Sequence, residues 1–409
     1  MLGCHRKRAR ITSVTIYTMK LFDTPSQHYI DFQPAQTVSI YTCGITPYDS
    51  AHLGHVFTFQ TYDLLQRRLE DKGHEVRLVR NITDVDEPIY RKAAELGIPY
   101  TVLAEQETAL FQSVLTQLNF RPAFAEPRAS QYISQMAAAV GSLLTNGHAY
   151  RLGDDIYFDV LVTPGETAFG GFCGFSERLQ LAFMRQRGGD PDRVGKHNPL
   201  DFLLWRGVPD SVDPAAWTTE LGRGRPGWHI ECSVMASELL GTPFDLHGGG
   251  DDLIFPHHEC EIAQSKALRQ PVLAKYWLHV APILYAGEKM SKSLGNLVFA
   301  KDLLAHHSAA TIRLSLMKYH YRTGGEWQPE FLEEAKALLT TIMSAEQVCS
   351  AAAADRLQLE VRAALDDDLD THRIMHALED FGATPAAVSL DSSAQSTVQA
   401  VWKLLGFAA

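Results

Sequence analysis

Between residues 38 and 69 the chain passes from a β-branched apolar run, Val38-Ser-Ile-Tyr-Thr-Cys43, through the breakers Gly44 and Pro47, into His52-Leu-Gly-His55. Thr58 to Leu69 then has helical spacing. A second apolar run, Val76-Arg-Leu-Val-Arg-Asn81, follows and ends in the polar Thr83-Asp-Val-Asp86. Strand, helix and strand in that order predict a parallel α/β sheet whose site lies at the C-terminal ends of its strands. His52, Asn81 and Asp84 would share that edge.

A second signature, Lys289-Met-Ser-Lys-Ser293, stands far downstream. Two histidines at a helix start can reach phosphate oxygens. Gly54 lets a nucleotide approach the backbone closely, and the helix N-terminus favours anions. A loop carrying Lys289 and Lys292, flanked by Ser291, Ser293 and Gly295, can close over a departing diphosphate. Either motif alone is weak, because a lysine-serine loop is more often a solvated turn. Together they describe a site that activates a carboxylic acid on the α-phosphate of ATP, a reaction that needs positioned donors rather than a nucleophile. In this order and at this separation the pair resembles the class I aminoacyl-tRNA synthetase family. That resemblance implies a Rossmann-like domain that makes an aminoacyl adenylate, with ATP as substrate alongside Mg²⁺. Its catalytic groups would be His52, His55, Lys289 and Lys292.

The chain has 409 residues, 45% of them hydrophobic, enough for a large core divided among two or three domains. A net charge of −11 argues against bulk attraction to nucleic acid or to an anionic membrane. Residues 1–10 are basic, but Ile11 to Met19 lacks an apolar signal core, so neither export nor a transmembrane helix is expected. Met19 is a candidate start. The six cysteines are sparse and widely spaced, unlike a disulfide framework, which fits a cytoplasmic protein.

The expected architecture is α/β: a Rossmann-like parallel-sheet catalytic domain with an α+β insertion and a C-terminal helical bundle. Residues 20–120 would form the first half of the catalytic domain and 121–225 the insertion, with a short β-rich piece near Asp155-Ile-Tyr-Phe-Asp159. Residues 226–304 would form the second half with the lysine loop, and 305–409 the helical domain. A monomer is expected.

A further constellation bears on the acid. Cys43 ends the first strand, Cys232 lies in Gly227-Trp-His-Ile-Glu-Cys232, and His257 and Glu261 are spaced i, i+4. That spacing places imidazole and carboxylate on one helix face, as zinc ligands require. Each cysteine taken alone reads as a small buried apolar residue, and a helical His/Glu pair as ordinary surface or core. Beside the ATP motif they instead suggest one Zn²⁺ per chain where the substrate side chain lies. Zinc with an open coordination position binds a thiolate well and a hydroxyl poorly, so the inferred amino acid is L-cysteine.

These residues resemble those of cysteinyl-tRNA synthetases and, more specifically, of the shorter mycothiol-pathway cysteine ligases. Cys43-Gly-Ile-Thr-Pro-Tyr-Asp49, Arg187-Gly-Gly-Asp-Pro191, Leu200-Asp-Phe-Leu-Leu-Trp205, Gly224-Arg-Pro-Gly-Trp-His-Ile-Glu-Cys232 and His247-Gly-Gly-Gly-Asp-Asp-Leu-Ile-Phe-Pro-His257 carry the resemblance, which runs from about Leu21. It implies zinc held by Cys43, Cys232 and His257. The adenylate would contact Cys43, Gly44, Ile45, Thr46, Thr58, Asn81, Ile82, Thr83, Trp228, Gly250, Asp251, Asp252 and Ile283. Trp228 would stack on adenine, and Asp252 would hold the ribose hydroxyls or the substrate amine. Asp251 stands where the family commonly has Ser. Glu261 is the synthetases' fourth zinc ligand, which the ligases often lack, so ligand and surface residue both stay open. The implied acceptor is the amine of glucosaminyl-inositol (GlcN-Ins), with Asp84 and Asp86 as candidate bases by position. From Glu330 to Ala409 there are 5 Lys+Arg against 13 Asp+Glu, which disfavours an RNA acceptor. A cysteinyl-tRNA synthetase, a ligase using another amine or carrier, and an inactive zinc-binding module are the alternatives.

Overall fold

The computed structural model describes residues 18–408 except 49–50, 164, 166–167, 209–214, 271, 291–293 and 386–391. Strands β1 (Met19–Asp23) and β2 (His28–Phe32) form an antiparallel ribbon ahead of β3 (Thr37–Ile45), α1 (Leu53–Asp71) and β4 (Glu75–Ile82). Helices α2 (Glu87–Leu96), α3 (Tyr100–Gln117) and α4 (Ile133–Thr145) lead into β5 (Ala149–Leu152) and β6 (Asp155–Phe158). Then come α5 (Glu177–Gln186), β7 (Phe202–Gly207), β8 (Trp217–Thr219) and β9 (Gly222–Pro226). The chain returns through α6 (Trp228–Leu240), β10 (Phe244–Gly250), α7 (Glu259–Ala267) and β11 (Ala274–Val280). Short strands β12 (Ile283–Tyr285) and β13 (Glu288–Lys289), helices α8 (Ala300–Leu304) and α9 (Ala309–Leu316), and β14 (Gly325–Glu326) precede the helices α10 (Glu330–Glu346), α11 (Ala351–Asp366), α12 (Thr371–Gly382) and α13 (Ser392–Leu405).

The central sheet is parallel, in the order β11-β10-β3-β4, with Ile40 paired to Leu78 on one side and to Leu246 on the other. It is covered on both faces, so β3 reads as a nearly continuous apolar run rather than an alternation, and Val38, Ile40 and Tyr41 are all fully buried. From β3 the chain crosses to β4 on one side, and β10 and β11 are added on the other. The strand order therefore reverses between β3 and β10, where parallel sheets open a crevice at their carboxyl ends. Strands β5 to β9 form a separate antiparallel sheet, β5-β6-β7-β9-β8, whose last strand runs straight into α6.

Helix α1 joins the sheet to the terminal helices through a buried ionic knot. Asp63 accepts from Arg67 Nε at 2.8 Å, from Arg313 Nη2 at 2.5 Å and from the Arg121 amide at 2.7 Å. Arg313 also donates to the Leu405 carbonyl at the end of α13, and Arg67 to that of Lys403. Burial lowers the Arg313 guanidinium below its usual value, and the Asp63 charge opposes that. Removing Asp63 leaves two buried cations without their counter-ion. Asp63→Ala should therefore cost about 3–5 kcal/mol in chemical denaturation, and a loss below about 1 kcal/mol would show the knot to be dispensable.

Candidate active site

The crevice between β3 and β10 widens into a cavity of about 770 Å³. Among the expected site residues, Cys43, Gly44, Thr46, His52, His55, Thr58, Trp228, Gly250, Asp251, Asp252, Ile283 and Lys289 line it. Ile45, Asn81, Ile82 and Thr83 do not; they sit one layer behind, buried. The reason is legible at Asn81, whose Oδ1 accepts from the Gly44 amide at 2.9 Å while its Nδ2 donates to Thr83. It ties two strand ends together. A Cβ on Gly44 would lie 1.6 Å from the Asn81 carbonyl oxygen, so only glycine permits this approach. Lys292, the serines on either side of it and Asp49 lie outside the described residues.

His52 caps α1, its Nδ1 accepting from the Gly54 amide at 3.2 Å, and its ring stacks on His55 at 3.9 Å. Burial, with the nearby His52 and Lys289 charges, lowers the His55 pKa well below the usual value, so His55 is a neutral imidazole. Lys289 pairs with Asp252 at 2.9 Å across the cavity mouth. Burial alone would raise the Asp252 carboxyl, but the Lys289 charge holds it down. Arg187 donates to the carbonyls of Asp252 and Phe255, fixing the loop after β10. Trp228, at the first turn of α6, stacks on His257 at 4.3 Å.

Beneath the cavity floor, ligand atoms of Cys43, Cys232, His257 and Glu261 lie within 4.8 Å of one another, all buried. They come from the end of β3, from α6, from a wide turn at Ile254–His258 and from α7. The expected i, i+4 pair thus spans the junction of that turn with α7 rather than one regular helix. Cys43 and Cys232 are free thiols with sulfurs 3.8 Å apart. Glu261 lies 2.7 Å from His247 Nε2 and 3.2 Å from His257 Nε2, yet neither its oxygens nor His257 Nε2 has an aligned hydrogen bond. His257 Nδ1 is engaged by His229 at 3.0 Å, which leaves Nε2 as the ligand atom.

The electrostatics match a cation site. Burial would raise the Glu261 carboxyl, but the charges of His247 and His257 hold it at about 2. Burial would likewise raise the Cys232 thiol, whereas the hydrogen bond from Cys43 and the His257 charge bring it to about 6. Orphaned carboxylate oxygens, an orphaned imidazole nitrogen and an acidified thiol are donors that a divalent metal satisfies.

Sequence reasoning missed the histidines behind these ligands. His258 Nε2 contacts Cys43 Sγ at 3.3 Å, and its Nδ1 meets His279 Nε2 at 2.7 Å; His279 in turn meets Thr24 at 2.7 Å. The signal available was their density, with His247 inside β10, His257 and His258 in the turn before α7, and His279 near the end of β11. Of the two candidate bases, Asp84 is committed to structure, accepting from the Ser130 amide and hydroxyl at 2.8 and 2.6 Å. Asp86 lines the cavity.

The family described as tRNA synthetases class I (C) catalytic domain matches residues 30–337. Curated proteins named L-cysteine:1D-myo-inositol 2-amino-2-deoxy-alpha-D-glucopyranoside ligase are similar across almost the whole chain. The one from Thermobispora bispora is 39% identical over 95% of both chains, and the one from Streptosporangium roseum 42% identical over 86% of both. Among solved structures, a Mycobacterium tuberculosis methionyl-tRNA synthetase in complex with methionyl-adenylate superposes with a TM-score of 0.60 at 16% identity, covering 90% of this chain and 88% of that one. An Agrobacterium radiobacter leucyl-tRNA synthetase in a ternary complex gives 0.62 at 12%, covering 91% and 84%. At these identities the two structures speak to the fold alone.

The cluster predicts its own second layer. His247→Ala should weaken divalent-metal affinity by about 10–100-fold, because Glu261 loses the group that orients it. Competition against a colorimetric chelator measures this, and unchanged affinity would mean that Glu261 is held by other contacts.

Proposed function

The chain belongs to the family of L-cysteine:1D-myo-inositol 2-amino-2-deoxy-alpha-D-glucopyranoside ligases, built on a class I synthetase catalytic domain, and from that premise we propose the following reaction. It activates L-cysteine with ATP as cysteinyl adenylate and transfers the cysteinyl group to the amine of GlcN-Ins, giving Cys-GlcN-Ins, AMP and diphosphate. This is a step of mycothiol synthesis. The single observation that carries the reading is the buried Cys43, Cys232, His257 and Glu261 cluster, lying under a cavity whose wall holds the histidine pair and Lys289.

Cys43, Cys232, His257 and Glu261 would hold zinc, which when bound would supply a Lewis acid that favours a thiolate over a hydroxyl. The remaining chemistry belongs to the chain. His52, His55 and Lys289 face one wall of the cavity, where charge builds on the departing diphosphate. The neutral His55 offers an N–H donor without charge, and Lys289 offers the charge. The Asp252 partner of Lys289 must give way when the triphosphate arrives, because the anion competes for the same ammonium. Lys292 would act from the same loop, and Mg²⁺ would accompany ATP. Trp228 closes the floor over His257 and shields the ligands from water.

The acceptor reading rests on the curated relatives and on charge. Residues 330–409 carry 13 acidic against 5 basic side chains, the wrong sign for gripping an RNA backbone. No helix of the described residues is long and apolar enough to cross a membrane.

The purified chain, given cysteine and ATP, should produce Cys-GlcN-Ins from GlcN-Ins and leave cysteine tRNA uncharged. Efficient charging of tRNA without Cys-GlcN-Ins formation would replace this reading with a cysteinyl-tRNA synthetase. His55→Ala should lower cysteine-dependent ATP–diphosphate exchange by about 10²–10³, the effect of losing one transition-state donor.

A further inference from the structure

The titratable groups around the cavity fall into two sets. On the proposed nucleotide wall the charges of Lys289 and Arg187 act on the Asp251 and Asp252 carboxyls, and that of Lys289 acts on His55. On another wall Glu87, Arg225 and His257 act on the Asp86 carboxyl, and Asp86 in turn acts on Tyr90 and Glu231 behind it. Arg206 and Arg225 are cross-strand neighbours on β7 and β9 of the antiparallel sheet. Arg225 Nη2 meets Glu87 Oε1 at 2.5 Å, and Arg206 Nε lies 3.9 Å from the same oxygen. Asp86, Glu87, Arg206 and Arg225, with Arg91, line the same cavity as Cys43 and His52. None of them belongs to the buried ligand cluster.

Resting on the ligase reading above, we propose that the wall formed by Asp86, Glu87, Arg206 and Arg225 is the acceptor subsite. There the Asp86 carboxylate receives the ammonium of a polyhydroxylated amine and takes its proton, and the arginine–glutamate pair binds the hydroxyls.

Geometry supports each part. Asp86 caps α2 with Oδ1, which accepts from the Glu87 amide at 2.8 Å, and Oδ2 remains for a ligand. Fixed guanidinium forks and a carboxylate together supply the donors and acceptors that a ring of hydroxyls requires. The cavity, at about 770 Å³, stands toward the upper end of the roughly 300–1,000 Å³ that holds one ligand, so it has room for an acceptor beside an adenylate. Burial raises the Asp86 carboxyl to about 6, opposed by the Glu87 amide, with Glu87 raising it and Arg225 and His257 lowering it. Tyr90 and Glu231 face it from α2 and α6. Such a carboxylate is ionised at neutral pH and basic enough to deprotonate a bound amine.

The transfer balances as follows. The ammonium gives one proton to Asp86 Oδ2. The freed nitrogen lone pair then forms the C–N bond to the cysteinyl carbonyl carbon, the carbon–oxygen bond to the phosphate breaks, and AMP leaves with that electron pair. The second nitrogen proton leaves with the AMP phosphate as the amide forms.

Asp86→Asn is the informative variant, because asparagine caps a helix as well as aspartate does and cannot take the proton. Three rates are compared in wild type and variant: cysteine-dependent ATP–diphosphate exchange, trapping of the adenylate by hydroxylamine, and ligation of GlcN-Ins. Hydroxylamine is uncharged at neutral pH and needs neither the base nor the hydroxyl wall. Ligation by Asp86→Asn should fall about 100-fold or more, while exchange and trapping stay within about threefold. Arg206→Ala should raise the KM for GlcN-Ins about tenfold with a smaller change in kcat, as loss of uniform binding requires. The inference is overturned if Asp86→Asn ligates GlcN-Ins at the wild-type rate, or if all three rates fall together. Absence of exchange or of ligation in the wild type would instead overturn the ligase reading itself.

Discussion

Four buried ligand atoms, brought from four separate stretches of chain to within 4.8 Å of one another, are the constraint around which the structure is arranged. Burying the Glu261 carboxylate costs several kcal/mol, and burying the His257 imidazole adds to that cost, unless their lone pairs are satisfied. Within the protein alone they are satisfied only in part, since Glu261 and His257 keep unaligned polar atoms. A divalent cation would complete them. His229 engages the His257 ring and His279 the His258 ring, and β3 and β10 must be adjacent for Cys43 to meet this group at all.

That placement also orders the cavity above. The wall proposed for the adenylate belongs to α1 and to the loops following β10 and β11, so the strand ends that lead to the ligand cluster also carry the groups proposed to face ATP. The antiparallel sheet contributes Arg206 and Arg225 and then delivers α6, hence Cys232, directly from β9. The antiparallel sheet is thus joined directly to the helix that carries Cys232. The terminal helices lie apart from this chemistry and are fastened to α1 by the Asp63, Arg67 and Arg313 knot, which anchors the helix that presents His52 and His55.

Much of this was legible in the sequence because the signals are local. The run from Val38 to Cys43, the breakers and His52-Leu-Gly-His55 locate a parallel strand and the helix start after it, and the structure places both there. The bundle reads from helical spacing in the same way. Asn81 and Thr83, which the resemblance implies as adenylate contacts, lie behind the cavity lining, because a side chain at a strand end can be consumed by the neighbouring strand and spacing does not reveal which. The two acidic residues after β4 illustrate the same limit. Asp84 and Asp86 look equivalent in sequence, and only Ser130, far along the chain, separates them. The arginine wall was invisible for a related reason: Arg206, Arg225 and Glu87 meet only after the antiparallel sheet folds against α2.

The central claim is that the buried cluster, loaded with metal, chooses the amino acid. The most direct measurement is ATP–diphosphate exchange by the metal-loaded enzyme with cysteine or serine as the only amino acid, repeated after the metal is stripped. The account predicts that cysteine exceeds serine by at least about a thousandfold, and that stripping abolishes the preference together with cysteine-dependent exchange. Comparable exchange with serine, or cysteine-dependent exchange that survives complete removal of the metal, would contradict it.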